Sequence, residues 1–539
     1  MASDTTYAEP VDALVAEVSR RAGWIESPSE AAAHIESLGV TDDDARTFYG
    51  HSDVFALGLA VATRQRQEPR AVEAAWAEEH RRQVADYESN KPAPLIQAIP
   101  RFFLKGVAFG LPMAIMVFAI LILLFSLWAY FYFSTARATA IGLGTALSYF
   151  LAGGFTQAIG RRGLMYLRQG MFLVCLKVSA LFFVAGVVLS LVVAAILEAF
   201  FGAFPVISAF DRTIFVVYFL DLSLLWLGLA TLYMLQREAL FSIAIALGIA
   251  VVFFFHEVIG WNIVAAQQVG ILLAALFAVV CSVLILLYLH RKNKNDQLPL
   301  SSKLPRMSIL VSTVAPFFFF GFLYFLLVFL DRLLAWTGHM PFRETFVWFR
   351  ADYEVGENWA LLGLLPALGL IEYSLYRFSA HVKARQLEYK LHQTASFQAW
   401  FLRFYALQLV LYAVMGVVGG LLAYFGIRAL LPSVPLIATL FSPISTFVFI
   451  FALIGYLLAF ISLFNISVFF WVSRPRMAIL AAAPAVLVDF IVGFVLSRVI
   501  AFQWAVVGFT AGSITFALIS TVLVLRVFAN LDYYYYSAM

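Results

Sequence analysis

Long apolar runs dominate the chain from Phe102 onward, and only short polar segments interrupt them. The runs are rich in Leu, Phe, Val and Ala and do not alternate in polarity, as the strands of a membrane barrel would. Each run is long enough to cross a hydrocarbon layer of about 30 Å as a helix. Twelve transmembrane helices are predicted, over 102–133, 138–160, 169–200, 213–235, 239–260, 266–290, 308–336, 358–380, 398–427, 435–472, 476–498 and 502–529. The 435–472 run is too long for one span and is expected to project from the bilayer or break near Pro443.

The first 95 residues have a different pattern. Four valines and leucines recur at helical spacing near the start, and Thr41 to Asp44 resembles a helix capping box. Arg64–Asn90 is dense in Arg, Glu, Gln and Ala and is predicted to be an exposed helix leading to the membrane. We therefore expect a soluble, helical, cytoplasmic domain over 1–95, a first six-helix membrane bundle over 96–306 and a second over 307–539.

Composition supports a membrane protein and gives an orientation. The 539 residues are 63% hydrophobic and 13% charged, with a mean hydropathy of +0.89, which no water-soluble globule of this size keeps in solution. Lys and Arg gather in the loops 161–168, 291–306 and 377–390. By the positive-inside rule these loops and both termini are cytoplasmic, in an inner membrane. No cleavable signal peptide is expected, because the first apolar run begins so late.

Enzymatic motifs are missing from the sequence. We find no Walker A loop, no HExxH or GxSxG motif and no acidic glycosyltransferase-like loop. Cys175 and Cys281 lie in apolar runs without metal-ligand spacing. The sequence therefore predicts neither an enzyme nor a cofactor, metal or nucleic-acid partner.

Charged residues inside predicted spans are the candidates for function, since each costs roughly 2.5–3.5 kcal/mol to insert unless it faces a bundle interior or water. The candidates are Glu372, Asp489, Asp331, Arg332, Lys177, Arg403 and Asp221, with the polar Gln157. Glu372 and Asp489 are surrounded by apolar residues and are favoured for ion or proton coupling. Two alternatives stay open: pairing of these carboxylates with Arg403 or Lys177, and an interfacial, snorkelling role for Asp331-Arg332. The acidic segment 337–357 is expected to be an outer loop.

A weak internal repeat relates the two predicted bundles. Gly154-x2-Gln157-x4-Arg162 matches Gly369-x2-Glu372-x4-Arg377, Pro112 matches Pro316, and Val269-Gly270 with Ser282 matches Val507-Gly508 with Ser520. Chance alignment of common membrane residues is the alternative. Six helices in each repeat make the repeats parallel, so a real repeat predicts two bundles around a central cleft.

This arrangement resembles the multidrug/oligosaccharidyl-lipid/polysaccharide (MOP) exporter superfamily, and within it the PelG-like exopolysaccharide exporters. The resemblance is carried by four segments: 151–157 with Arg162, 329–336, 359–377 around Glu372, and the ending Leu531-Asp-Tyr-Tyr. It departs from the family in its 95-residue start.

The resemblance implies a flippase that moves a polysaccharide or lipid-linked glycan outward, driven by an ion gradient, with a cytosolic glycosyltransferase or other synthase as partner. Two other interpretations remain. One is a non-transporting scaffold that recruits a synthase or sensor through the N-terminal domain, and the other is a multidrug or lipid flippase of the same fold. A hydrated central cavity would favour transport, whereas a scaffold can be packed solid.

Overall fold

The computed structural model describes residues 5–22, 25, 27–67, 77, 95–203, 208–292, 304, 306–338, 347–388, 394–430, 432, 441–531 and 534. Within these residues the secondary structure is helical apart from one bridge between Phe125 and Tyr130. The chain divides into two compact units, of which the first holds residues 1–93 with 165–177 and 284–305. The second unit holds the rest of the chain.

Four short helices occupy the start of the chain: α1 (Thr5–Ala22), α2 (Pro28–Ser37), α3 (Asp42–Phe48) and α4 (Val54–Gln67). Their apolar faces share a core in which Leu14, Ile35 and Leu57 are fully buried. The predicted capping box is present, with Thr41 and Asp44 bonded in both directions. At α4 the Asp53 carboxylate accepts the Ala56 N–H at 2.7 Å, which lowers the pKa of Asp53. Whether 1–95 folds alone stays a prediction, and most of the predicted exposed helix after Gln67 lies outside the described residues.

The described membrane region holds ten single helices long and apolar enough to span a bilayer, or up to twelve spans if each of two bent pairs counts as one. Each predicted span corresponds to one of these. The bounds are α5 (Leu95–Leu123), α6 (Thr135–Arg168), α7 (Phe172–Ala203), α8 (Ala209–Met234), α9 (Glu238–Phe253), α10 (Ile263–Lys292), α11 (Met307–Trp336), α12 (Ala351–Gly363), α13 (Leu365–Glu388), α14 (Thr394–Leu430), α15 (Pro443–Trp471), α16 (Pro475–Val499) and α17 (Ala505–Ala529). We call α5–α10 the first half and α11–α17 the second half.

Two spans are bent where proline disturbs the backbone. The first span turns by 54° between Ala108 and Gly110, because the ring of Pro112 crowds the carbonyl four residues earlier. The eighth span turns by 42° between α12 and α13, just before Pro366. In each span a proline lies just after the bend.

The predicted end of the first span is wrong, whereas the break expected near Pro443 is confirmed. The first span ends at Leu123 and not near 133, because Leu124 adopts a left-handed conformation (φ 64°) that stops the helix. Residues 124–134 then form a compact segment, which we call the cavity loop. The tenth span begins at Pro443, where the Ser442 hydroxyl caps the Ser445 N–H at 3.2 Å.

Equivalent helix contacts recur in both halves. In α6, Gly154 lies against the Phe318 ring of α11, and in α13 Gly369 lies against the Phe103 ring of α5. The sequence separation between Gly154 and Gly369 equals that between Phe103 and Phe318. Gly106 and Gly321 are separated by the same distance in sequence. The repeat is thus visible in the packing. The match of Pro112 with Pro316 is wrong, because it is out of register with these contacts.

The last two spans of each half meet at paired glycines. Gly270 lies against the backbone of Gly248, joining α10 to α9, and Gly508 lies against that of Gly493, joining α17 to α16. Nearby, matched serines accept buried hydrogen bonds: Ser282 from Thr231 at 2.8 Å and Ser520 from Asn465 at 3.0 Å. The third proposed match therefore occupies equivalent places in the two halves.

Candidate functional site

A cavity of about 600 Å³ lies between the halves, which is the size that a drug-like molecule requires. The first half contributes α5, α6, α8, α9 and the cavity loop, and the second half contributes α11 and α12. Eleven of the 31 residues in its wall are aromatic, and we call it the aromatic cavity. The aromatic lining residues are Trp128, Tyr130, Phe131, Phe133, Tyr149, Trp226, Phe241, Phe325, Phe329, Trp336 and Phe349.

Stacked rings connect the cavity loop to a charged group. Trp128 contacts Trp226 edge to face at 5.5 Å between ring centroids, and Trp226 stacks on Tyr149 at 4.5 Å. Tyr149 stacks on Phe329 at 4.8 Å, and the Arg332 guanidinium lies 5.0 Å from the centre of that ring. The aromatic surface therefore ends at a buried cation.

Arg332 is held by two carboxylates of α12. It donates to Glu354 at 2.5 Å and to Glu357 at 3.4 Å. Tyr456 of α15 accepts from Arg332 at 3.1 Å and donates to Glu357 at 2.6 Å, and the Trp336 indole donates to Glu354 at 3.1 Å. Of these charged groups, Arg332 and Glu354 reach the wall of the aromatic cavity.

Two more carboxylates lie beside this pair. Asp331 accepts a 2.5 Å hydrogen bond from Tyr353, and its carboxyl group also interacts with the carboxyl group of Glu357. Asp489 of α16 is fully buried, and within the described part of the chain neither of its oxygens is hydrogen-bonded. Asp331, Glu357 and Asp489 interact electrostatically. We call these groups, with Arg332, Glu354, Tyr353 and Tyr456, the Arg332 cluster.

The Arg332 cluster is not neutral by itself. It contains four carboxyl groups and one guanidinium, all nearly or fully buried. An uncompensated buried charge costs several kcal/mol. The excess negative charge must therefore be balanced by protons on the carboxyl groups or by a cation. His, Cys, Asp and Glu residues form no metal-binding group within the described residues.

Solved structures with the same architecture are MATE transporters and their MOP-superfamily relatives. A MATE structure in complex with MaD5 is 14% identical, with a TM-score of 0.56, 81% of this chain covered and 96% of that chain. The chain has the MATE fold. A MATE structure with MaD3S (14% identity) and a MOP-superfamily transporter from Pyrococcus furiosus (15% identity) each have a TM-score of 0.52 and the same coverage of both chains. No protein-family profile and no curated protein sequence matches the chain significantly.

The end of the segment 337–357, which was predicted to be an outer loop, is helical, and residues 339–346 lie outside the described residues. The described part of it enters α12 at Ala351, which buries Glu354 and Glu357. The interfacial interpretation of Asp331-Arg332 is also wrong, since these residues are 0% and 5% exposed. The signal that could have found the cluster is Glu354-x2-Glu357, which places both carboxylates on one helix face opposite an Asp-Arg pair.

Glu372 lies in a different ion-pair group. Its carboxylate is 3.5 Å from the Lys105 ammonium, which is 3.7 Å from Glu238. Lys105 and Glu238 belong to the first half and Glu372 to the second, so this group joins the halves. Sequence reasoning missed Lys105 because a lysine near a helix end usually reaches the interface.

The remaining candidates lie apart from the Arg332 cluster. Lys177 and Arg403 are exposed, and the cation found beside Glu372 is Lys105. Gln157 lies where α6 crosses α11, with its Cγ against Gly321. Asp221 is half-buried in α8 and interacts electrostatically with Tyr218.

Proposed function

We propose that this protein is a transporter that moves amphipathic organic molecules, cationic ones preferentially, across the membrane by alternating access in exchange for protons or a small cation. The observation that carries the proposal is the contact between the aromatic cavity and a buried cluster with excess carboxyl groups. A scaffold, the competing interpretation, has no need of a cavity of about 600 Å³ between its halves. The MATE fold supports the same choice.

The wall of the cavity supports an aromatic or lipophilic cargo. Ring faces attract cations and flat apolar groups, and Glu354 supplies a carboxylate at the wall. A polysaccharide or lipid-linked glycan, the cargo that the PelG-like resemblance implies, presents many hydroxyl groups that need polar partners when buried. This wall offers few. Glycan export, with a synthase as partner, therefore stays a prediction from the resemblance alone.

Contacts between the halves lie farther along the helices from the cavity loop than the residues that line the cavity. Gly106 meets the Leu368 backbone, Gly153 meets Gly321, and Lys105 bridges to Glu372. Alternating access requires the halves to move relative to each other, so these contacts would have to separate in another state.

Coupling follows from charge balance at the Arg332 cluster. A cationic cargo beside Glu354 compensates part of the excess negative charge, and protons or a small cation on Asp331, Glu357 or Asp489 do the same. Because each positive charge bound there reduces the excess negative charge that attracts the next, binding of one opposes binding of the other. Each therefore favours release of the other, which is exchange.

Proteoliposomes with an imposed pH gradient test this proposal. We expect ethidium to move against its own gradient when protons move in the opposite direction, and Asp489→Asn protein to lose this movement while inserting normally. Ethidium movement that ignores every imposed proton or cation gradient would refute the coupling. Deletion of the gene, followed by comparison of cytoplasmic and exported polysaccharide, decides between the two cargo classes.

A further inference from the structure

We infer that Gln267 is a positioning residue that fixes the cavity loop as a wall of the aromatic cavity and so sets which molecules fit. The role of Gln267 in selecting transported molecules rests on the proposed transport function, but its role in anchoring the loop does not. Gln267 lies in α10, behind the loop, and does not line the cavity.

The first anchor is polar. The Gln267 side chain is fully buried, and its amide nitrogen donates to the backbone carbonyls of Ser126 at 3.1 Å and Ala129 at 3.0 Å. Its amide oxygen accepts from the Tyr218 hydroxyl at 2.6 Å. The tyrosine thereby orients the amide, so that both N–H groups face the loop. The Ala129 carbonyl also accepts the Ser126 N–H at 2.8 Å, so Gln267 supplies a second donor to Ala129 and a donor to the Ser126 carbonyl.

The second anchor is apolar and lies next to the first. Leu127 is fully buried, and its Cδ1 occupies the notch between Gly248 and Gly270. A Cβ atom at Gly248 would be 2.7 Å from that methyl group, and one at Gly270 would be 3.3 Å from it. The two glycines therefore leave space for the loop residue, while Gln267 lies one helical turn before Gly270.

Between and after these anchors the loop presents its rings to the cavity. Trp128, Tyr130, Phe131 and Phe133 line the wall, and Trp128 begins the row of rings that ends at Arg332. The backbone of the loop does not prefer this shape, since it starts with a left-handed leucine at Leu124. One buried amide and one leucine thus fix the loop to α9 and α10, in addition to the backbone hydrogen bonds within the loop and the buried Phe125.

Gln267→Leu tests the inference, with Gln408→Leu as its matched control. Gln408, in α14, is also a fully buried glutamine and does not line the cavity. Its amide oxygen accepts a hydrogen bond from the Ser374 hydroxyl of α13 at 2.6 Å. In proteoliposomes we expect Gln267→Leu to change the ratio of apparent KM values for tetraphenylphosphonium and the smaller tetraethylammonium by roughly tenfold. Gln408→Leu should leave that ratio unchanged. Tyr218→Phe, which frees the amide to rotate, should give a smaller change of the same sign.

A spin label at Tyr132→Cys, in a background with Cys175 and Cys281 replaced by Ala, reports on the loop without any transport. Tyr132 is exposed and does not line the cavity. We expect the label to become more mobile with Gln267→Leu and not with Gln408→Leu. Unchanged mobility with Gln267→Leu would overturn the anchoring. A more mobile loop with an unchanged KM ratio would overturn the role in selectivity. If the parent protein transports neither cation, that result counts against the proposed function, and the mobility of the label still decides whether Gln267 anchors the loop.

Discussion

The two halves share helix contacts but differ in chemistry. In the register set by Gly154/Gly369, the positions of Arg332 and Glu357 correspond to Val117 and Gly142 in the first half. The complete set in the second half is Asp331, Arg332, Tyr353, Glu354 and Glu357, and the corresponding residues are Met116, Val117, Ala138, Thr139 and Gly142. The first half therefore supplies most of the aromatic wall, and the second half supplies the buried charge. A repeated scaffold has been specialised on one side.

The Gly–Gly contacts show the same division. The notch at Gly248 and Gly270 is filled by Leu127 from the cavity loop, whereas Leu334, from the helix α11, approaches Gly493 in the second half. In the register of these glycines, Asp489 corresponds to Ala244. The first half thus uses this region to hold a loop, and the second half uses it to hold an acid.

The largest effect is expected from Arg332→Leu. It leaves buried carboxylates without their guanidinium, and breaking a buried pair in this way costs about 3–5 kcal/mol. We expect little folded protein, measured as the monodisperse fraction after detergent extraction, and partial recovery in Arg332→Leu/Glu354→Gln. Val117→Leu, the matched change in the first half, should be tolerated. Equal losses for Val117→Leu and Arg332→Leu would show that the halves do not differ in this way.

A second prediction separates coupling from folding. Asp489→Asn keeps the shape of a fully buried side chain and removes its charge. Gradient-driven uptake of ethidium should fall by about tenfold or more, equivalent to about 1.4 kcal/mol, while the melting temperature stays at or above that of the parent. The control is Ala244→Ser in the equivalent place. Normal uptake by the Asp489→Asn protein would remove Asp489 from the coupling groups.

A smaller effect is expected at the bridge between the halves. Glu372→Gln should insert and accumulate normally but transport less, because the Lys105 bridge no longer joins the two halves. The pair is partly exposed, so its strength is on the order of 0.2–1 kcal/mol and the loss at most about fivefold. The exchanged pair Lys105→Glu/Glu372→Lys should recover transport when Glu238→Gln removes the carboxylate that would face the new glutamate, and Glu257→Gln should change little. Failure of the exchanged pair to recover would make Glu372 important for another reason.

The smallest effect concerns topology. If the halves are parallel repeats, the loops 161–168 and 377–390 lie on one side of the membrane, with 291–306. Single cysteines in these loops should leave transport unchanged and stay unlabelled by an impermeant thiol reagent in intact cells. Labelling of one of the first two loops but not the other would contradict the parallel repeat.

Sequence alone predicted the spans well and the site only in part. Apolar runs determine where helices cross, so each predicted span matches a span-length helix or a bent helix pair among the described residues. Asp331, Arg332 and Asp489 were singled out by their insertion cost. Glu354 and Glu357 were missed because acidic residues near arginines have the same composition as a wet loop. Their burial depends on a contact that sequence does not show: Gly356 lets α12 approach the Ser445 carbonyl of α15, where an added Cβ would be 2.6 Å away.

Trp336 connects the charge in one half to a surface of the other. Its indole donates to Glu354, and the far edge of the same ring lies against Gly142, where a Cβ would be 2.7 Å from Cη2. Gly142 is the residue that takes the place of Glu357 in the first half, and its lack of a side chain makes room for the ring. An indole is rigid, so a shift at its N–H end must appear at its outer edge. A proton or cargo that weakens the hydrogen bond to Glu354 would therefore also shift the ring edge that packs against Gly142 of the first half.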